Sequence, residues 1–260
     1  MISVCLCTYN GEKYIKEQVS SILIQLQNSD ELIISDDGST DKTIDVLNSF
    51  SDPRIKILQN QYRQPLYRGY YNVLHRVASN FENALNHSSG DYIFLSDQDD
   101  IWVDGKVEIT CRNLKKYDLV VHNCMIFDSD TNEELGEWFD FVKPSEKLFR
   151  TILKSSFHGC TMAFNRKIKK MVLPFPKSPI GHDTWIGIHS ILNNNSIYFE
   201  KRILLKYRSH SSNVSGASKK TSKNSFKFKI NYRLKLLSII VDLIINRKLL
   251  KRENITHLLF

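Results

Sequence analysis

Residues 90–102 read Gly90-Asp91-Tyr92-Ile93-Phe94-Leu95-Ser96-Asp97-Gln98-Asp99-Asp100-Ile101-Trp102. The apolar run 92–95, too short for a helix and bounded by glycine and acids, predicts a strand buried on both faces. It runs straight into three carboxylates within four residues. Such a cluster repels itself unless a cation joins it. Hard oxygen donors suit Mg2+ or Mn2+, which also bind phosphate oxygens, so the cluster predicts a metal-held diphosphate. The plain alternative is a solvated acidic turn capping the next helix.

Upstream, strand and helix signals alternate. Residues 2–6 form an apolar run broken by Thr8-Tyr9-Asn10-Gly11, and residues 12–26 place Tyr14 or Ile15, Val19, Ile22 or Leu23, and Leu26 at helical spacing. A second strand at 32–34 ends in Asp36-Asp37-Gly38-Ser39-Thr40-Asp41, where Ser39 or Thr40 is placed to cap a helix with the apolar face Ile44, Leu47 and Phe50. A third strand follows at 55–58, then a loop over 59–71 and a helix to about Asn86, stopped by Ser88-Ser89-Gly90. This alternation predicts a parallel, doubly wound α/β sheet, in which ligands sit beyond the carboxyl ends of the strands. Three polar clusters fall at those ends, at residues 8–10, 36–38 and 97–100, and together they predict one site. Carboxylates at 36 and 37 are acceptors for ribose hydroxyls or a base imino proton. The glycine-rich dinucleotide turn and the lysine-bearing phosphate loop are both missing, which argues against those nucleotide sites.

Downstream, a strand is expected at 119–122, an irregular stretch or hairpin at 124–143, and a helix near 145–154 leading into Phe157-His158-Gly159-Cys160-Thr161. Pro174, Pro176 and Pro179 mark a loop before Gly181-His182-Asp183-Thr184-Trp185, with a helix to about Leu192, a short strand at 197–199, and then Tyr207-Arg208-Ser209-His210. His158 reads either as a buried, hydrogen-bonded histidine or as an acceptor-site group. Trp185 reads either as core or as a platform on which a sugar stacks.

The composition, 260 residues with 42% hydrophobic and 25% charged, excludes disorder throughout, collagen-like repetition and a small disulfide scaffold. Five cysteines without paired short spacing predict reduced thiols and a cytoplasmic chain, with Cys5 and Cys7 buried along the first strand. The opening residues carry no secretory-signal pattern, and no run of about 18 apolar residues occurs. The net charge of +8 divides unevenly: residues 219–260 hold eleven Lys and Arg against two acids, while residues 1–218 hold 25 against 26. That is a near-neutral body with a basic appendage, not a basic face for nucleic acid. In the appendage Ile230, Leu234, Leu237, Val241 and Ile244 recur in steps of four and three among Lys227, Lys229, Arg233, Lys235, Arg247, Lys248, Lys251 and Arg252. Such a basic amphipathic helix either lies on an anionic leaflet or packs on the body. Residues 211–225 read as a linker.

The segments 7–12, 34–41, 90–102, 157–164, 182–185 and 207–216 together resemble family 2 glycosyltransferases of the GT-A fold. The likeness is to the bacterial branch that builds O-antigens, capsules and similar polysaccharides, including rhamnosyltransferase-like members. The resemblance implies a mostly parallel Rossmann-like sheet flanked by helices over residues 1–216, with a nucleotide-binding half at 1–102 and an acceptor half at 103–216, followed by linker and tail at 217–260. It implies donor contacts from Thr8, Tyr9, Asn10, Glu12, Asp36, Asp37 and Asp97, with Arg208 at a diphosphate-binding position. It implies a Mn2+ or Mg2+ site from Asp97, Asp99 and His210, and Asp183 as catalytic base; His158 and Trp185 stand as acceptor candidates. The segment 60–77, rich in tyrosine and arginine, departs from the family pattern, so its donor contacts cannot be carried over. The expected reaction is inverting sugar transfer from a UDP- or dTDP-sugar to a glycan or lipid-linked acceptor, at the inner face of the cytoplasmic membrane. The alternatives are a nucleotidyltransferase making nucleotide sugars and a non-catalytic sugar-nucleotide-binding module.

Overall fold

The computed structural model describes residues 1–61, 66–210 and 225–256. The strands are β1 (Ile2–Thr8), β2 (Glu31–Asp36), β3 (Ile55–Gln59), β4 (Tyr92–Ser96), β5 (Ile101–Trp102), β6 (Leu119–Asp128), β7 (Glu134–Glu137), β8 (Met162–Asn165) and β9 (Ile197–Ser209). The helices are α1 (Ile15–Leu23), α2 (Thr43–Asn48), α3 (Tyr70–His87), α4 (Lys106–Leu114), α5 (Trp138–Phe141), α6 (Leu148–Leu153), α7 (Arg166–Val172), α8 (His182–Leu192) and α9 (Phe226–Thr256).

The sheet runs β3-β2-β1-β4-β8-β6-β9-β5, with β7 added to β6 as a hairpin. β1 to β4 are mutually parallel, β8 runs against both β4 and β6, and β9 is parallel to β6. Six strands therefore share one direction, as expected for a mostly parallel sheet. Side chains alternate across β1: Val4 and Leu6 enter one core layer with α1, α2 and α4, while Cys5 and Cys7 enter the other with α3, α7 and α8. Burial on both faces explains why this strand reads as a continuous apolar run.

Several local expectations are corrected. Neither Ser39 nor Thr40 caps α2; the Asp41 carboxylate accepts the Thr43 N–H at 3.0 Å, and Ser39 instead donates to Asp36 at 2.5 Å. The short strand expected at 197–199 is the start of the 13-residue β9, which continues through Arg208 because it pairs with β6 along its length. The sequence reading lacks β8 and α7: β8 is only four residues long and leads directly into the helix. The linker reading at 211–225 falls almost wholly outside the described residues.

The tail is helical, and one of its faces packs. Leu236 and Ile240 are buried in the α3/α8 core layer, whereas Phe226, Ile230, Leu234, Leu237, Val241, Ile244 and Ile245 are exposed. The apolar stripe legible in the sequence is thus the outward one. No helix among the described residues is long and apolar enough to cross a membrane.

Gly187 shows how tightly α8 is seated: a Cβ there would lie 2.1 Å from the Phe157 ring. Alanine in an open helix interior stabilises by up to about 1 kcal/mol over glycine, but overpacking costs about 1–3 kcal/mol. Gly187→Ala is expected to lower the urea unfolding free energy by about 1–2 kcal/mol. A variant as stable as the parent, or more so, would show that α8 is loosely seated on residue 157.

Candidate active site

Because β1, β2 and β4 are parallel neighbours, the loops after them meet, and they enclose a cavity of about 720 Å3 at the carboxyl edge of the sheet. Gln98 clamps two of these loops. Its Oε1 accepts from the Thr8 hydroxyl at 2.7 Å and the Tyr9 N–H at 2.8 Å, and its Nε2 donates to the Tyr9 carbonyl at 3.2 Å. Residue 11 must be glycine for this clamp, since a Cβ would fall 2.5 Å from Gln98 Oε1. The first two loops are laced as well: the Asn10 N–H donates to Ser39 Oγ at 2.8 Å, and Asn10 Oδ1 accepts the Thr40 N–H at 2.8 Å.

Thr8, Tyr9, Asn10 and Asp37 line the cavity. Arg76 Nε donates to the Asp37 carboxylate at 2.8 Å while its guanidinium lies 4.7 Å from the Tyr9 ring centroid, and Asn60 Nδ2 donates to Asp37 at 3.0 Å. Burial nevertheless leaves the Asp37 carboxyl raised above its ordinary value, with Arg76 opposing the shift.

Asp97, Asp99 and His210 line the same cavity, with His210 Nε2 at 2.8 Å from Asp99 Oδ2. Asp100 is buried behind them; its Oδ1 accepts the Arg208 N–H at 3.1 Å, and its Oδ2 has no hydrogen-bond partner. Beneath lies Lys106, 1% exposed, its Nζ donating to the Cys160 carbonyl at 3.1 Å and sitting 4.1 Å from the Trp102 ring centroid. Burial lowers this lysine to about 8. Burial first, then the charges of Asp99 and Asp183, push the Asp97 carboxyl up; burial and the two neighbouring acids do the same to Asp100. A divalent cation would relieve that crowding, and the Asp97 and Asp99 carboxylates with the His210 imidazole are donor types that Mn2+ or Mg2+ takes, although these three do not converge within 4.8 Å as they stand. Cys160 Sγ also lies within 4.8 Å of carboxylate oxygens of Asp97 and Asp100. Burial keeps it a thiol, however, and a soft donor does not suit these ions.

Asp183 enters the cavity from the first turn of α8, close enough to Asp97 to raise its carboxyl. Burial pushes Asp183 itself up to about 6, opposed by hydrogen bonds at Thr184, whose N–H donates at 2.6 Å. His158 also lines the cavity, between the rings of Trp138 at 4.9 Å and Tyr207 at 5.0 Å, and burial holds it near 4 and therefore neutral.

Four of the expected site residues have partners within the fold or lie in its core. Glu12 does not line the cavity; its carboxylate accepts the Lys42 N–H at 2.8 Å and braces the loops. Asp36 is consumed by its own turn, accepting the N–H groups of Gly38 at 3.0 Å and Ser39 at 2.8 Å. Arg208 lies below the cavity, donating to the Asp99 carbonyl at 2.8 Å and the Glu17 carboxylate at 2.5 Å, so it positions the acidic turn. Trp185 is core: its indole N–H donates to the Val172 carbonyl at 2.8 Å, and its ring lies 4.0 Å from that of His189.

Sequence reasoning missed the face of α3 that walls the cavity with Tyr70, Val73, Arg76, Val77 and Asn80. The 3–4 residue spacing of that face was the available signal.

Residues 3–172 match the profile described as Glycosyl transferase family 2. The chain is 30% identical over 200 residues to UDP-Glc:alpha-D-GlcNAc-diphosphoundecaprenol beta-1,3-glucosyltransferase WfgD of Escherichia coli, covering 76% of this chain and 72% of that one. It is 26% identical over 234 residues to dTDP-rhamnosyl transferase RfbG of Shigella flexneri, covering 82% and 74%. Among solved structures it is similar to S. aureus TarS in complex with UDP-GlcNAc, with a TM-score of 0.65 and 17% identity over 92% of this chain and 66% of that one. A Pyrobaculum calidifontis mannosyltransferase in complex with GDP-Man and Mn2+ gives 0.56 and 16% over 82% and 58%. The fold is thus that of the GT-A glycosyltransferases, and the chain belongs to glycosyl transferase family 2.

Proposed function

We propose that this chain transfers a sugar from a UDP- or dTDP-sugar to a lipid-linked or glycan acceptor in bacterial surface-polysaccharide synthesis, with inversion at the anomeric carbon. One observation carries the reading: a single cavity holds the acids Asp97 and Asp99 of the β4 turn together with His210 and Asp183 from far downstream, and Asp183 is raised to about 6. Tyr9 and Asp37, fixed by Arg76, hold the nucleotide base and ribose. A divalent ion bound by Asp97, Asp99 and His210 supplies charge stabilisation to the departing diphosphate. Asp183 takes the proton of the attacking acceptor hydroxyl, a role suited to a carboxylate lifted toward neutrality. Arg208 and Lys106 keep the acidic turn in place from below. The outward stripe of α9, flanked by exposed Lys227 and Lys235, supports docking on an anionic leaflet.

Asp99→Asn is expected to weaken Mn2+-dependent UDP binding by more than about 100-fold in calorimetry, beyond the range for residues that only orient a ligand. Unchanged affinity would remove Asp99 from the metal site.

Asp183→Asn is expected to keep UDP affinity and lower transfer by about 10²–10⁴-fold. Asp183 must be ionised to accept a proton, so transfer rises with pH through its pKa and then levels. Burial sets that pKa at about 6, and a bound cation lowers it, placing the acid limb at 6 or below. A parent profile without this limb, or an Asp183→Asn variant that keeps it, would assign the base elsewhere.

Leu234→Asp combined with Leu237→Asp is expected to abolish sedimentation with phosphatidylglycerol vesicles while UDP affinity stays at the parent value. Sedimentation of the parent chain should itself fall as salt rises, because exposed charges are screened beyond about 8 Å at physiological ionic strength. Equal sedimentation of both proteins would exclude the α9 stripe as the membrane face.

A further inference from the structure

A second cavity, of about 280 Å3, lies behind the first between α3, α6, α8 and α9. The two are contiguous: Tyr70, Leu74, Gly181 and Asp183 line both. Its remaining walls have two characters. Ile152, Leu153 and Phe228 are apolar, while Lys229 and Arg233, one turn apart on α9, are cationic. The carboxylate lining it is that of Asp183, and no ion pair joins Lys229 or Arg233 to an acid among the described residues.

Arg233 is only partly engaged. One terminal nitrogen donates to the Leu153 carbonyl at 3.0 Å and the other to the Lys229 carbonyl at 3.5 Å, while its buried Nε has no partner. Two cations with no ion pair to a carboxylate among the described residues, one with an unused buried donor, make a site for an anion with several acceptor oxygens. A helix of 3.6 residues per turn also sets their bearing. Lys229 and Arg233 continue the face of α9 that buries Leu236 and Ile240, the four positions following one another at i, i+4, i+7 and i+11, and both are half-buried. A ligand held there lies in the same cavity as Asp183 and against Leu153, which is exposed on the α6 side.

The cavity is smaller than those that enclose a whole drug-sized ligand, so it suits one segment of a longer molecule. We infer that it is the acceptor's diphosphate subsite: Lys229 and Arg233 bind the diphosphate of a lipid-linked sugar, the sugar hydroxyl reaches Asp183, and the start of the lipid lies along Ile152, Leu153 and Phe228. This deepens the sugar-transfer reading and rests on it. It assigns α9, which lies beyond the family-matched residues, a part in choosing the acceptor.

The test is calorimetric titration of the full chain, saturated with UDP and Mn2+ so that the donor diphosphate site is filled. The probe is farnesyl diphosphate below its micelle concentration. Binding is expected, with farnesol and inorganic pyrophosphate each weaker by about tenfold or more, since each lacks one half of the match. Arg233→Met and Lys229→Met should each weaken farnesyl diphosphate by about tenfold, the scale of a charge-assisted hydrogen bond, and leave UDP affinity unchanged. Arg233→Lys should recover part of the loss. Lys229 is half-buried and makes no side-chain hydrogen bond among the described residues, so its variant reports even if the Arg233 variants unfold. Equal binding by parent and both methionine variants, or farnesol binding as tightly as the diphosphate, overturns the subsite. If UDP and Mn2+ fail to bind the parent chain, the sugar-transfer reading falls instead; the farnesyl diphosphate series repeated in EDTA still decides the subsite.

Discussion

Three carboxylates at the end of a strand buried on both sides repel one another, and much of the surrounding architecture answers that repulsion. Arg208 meets the acidic turn through its backbone N–H and its guanidinium, and Lys106 lies beneath with its charge partly spread over the Trp102 ring. Neither cation reaches the cavity. Removing one member of a buried charged network leaves the others uncompensated, at a cost of several kcal/mol, so these two residues fix the turn without neutralising its exposed side. The acids facing the cavity therefore stay crowded, a repulsion that a divalent cation would relieve.

Residues 1–102 were legible because the chemistry there is local in sequence. Each polar cluster directly follows an apolar run, so strand, loop and site share a few consecutive residues, as at 4–10 and 92–100. The clusters overstate the site, however, because turns and ligand contacts draw on the same residue types. Asp36 and Asp37 are adjacent acids in one turn, yet Asp36 closes the turn by accepting its N–H groups while Asp37 faces the cavity. Composition cannot separate them; backbone geometry does. Glu12 and Arg208 likewise each have a partner within the fold, the Lys42 N–H for one and the Asp99 carbonyl and Glu17 carboxylate for the other.

Residues 103–210 were less legible because helices and long-range pairing build that part of the cavity. β9 extends to Ser209 only because β6 lies beside it, information that no window of the sequence contains. The wall on α3 hides in an ordinary amphipathic pattern, where Arg76 and Asn80 look like solvent-facing residues until the tertiary fold turns them inward. Trp185 shows the converse: an aromatic residue beside the candidate base reads as a sugar platform, but its N–H is claimed by the Val172 carbonyl and its ring by the core.

Helix α9 carries two apolar stripes with the same period, offset about a third of the way around its circumference. One contains Leu236 and Ile240; the other contains Ile230, Leu234, Leu237 and Val241. Periodicity detects a stripe but cannot say which one meets the body. The decision is made by contacts at the helix's start, where Phe228 meets Tyr70 at 5.5 Å and Tyr71 at 4.8 Å between ring centroids. Tyr232 then faces Gly181 and Thr184 beside Asp183. These aromatic contacts set the rotation of the helix and so leave the second stripe outside. A helix that served only to pack would gain by making its outer face polar, since an exposed apolar stripe invites association. One element thus carries an exposed apolar stripe on its outer face and, on the face turned to the body, residues that wall the cavity of Asp183.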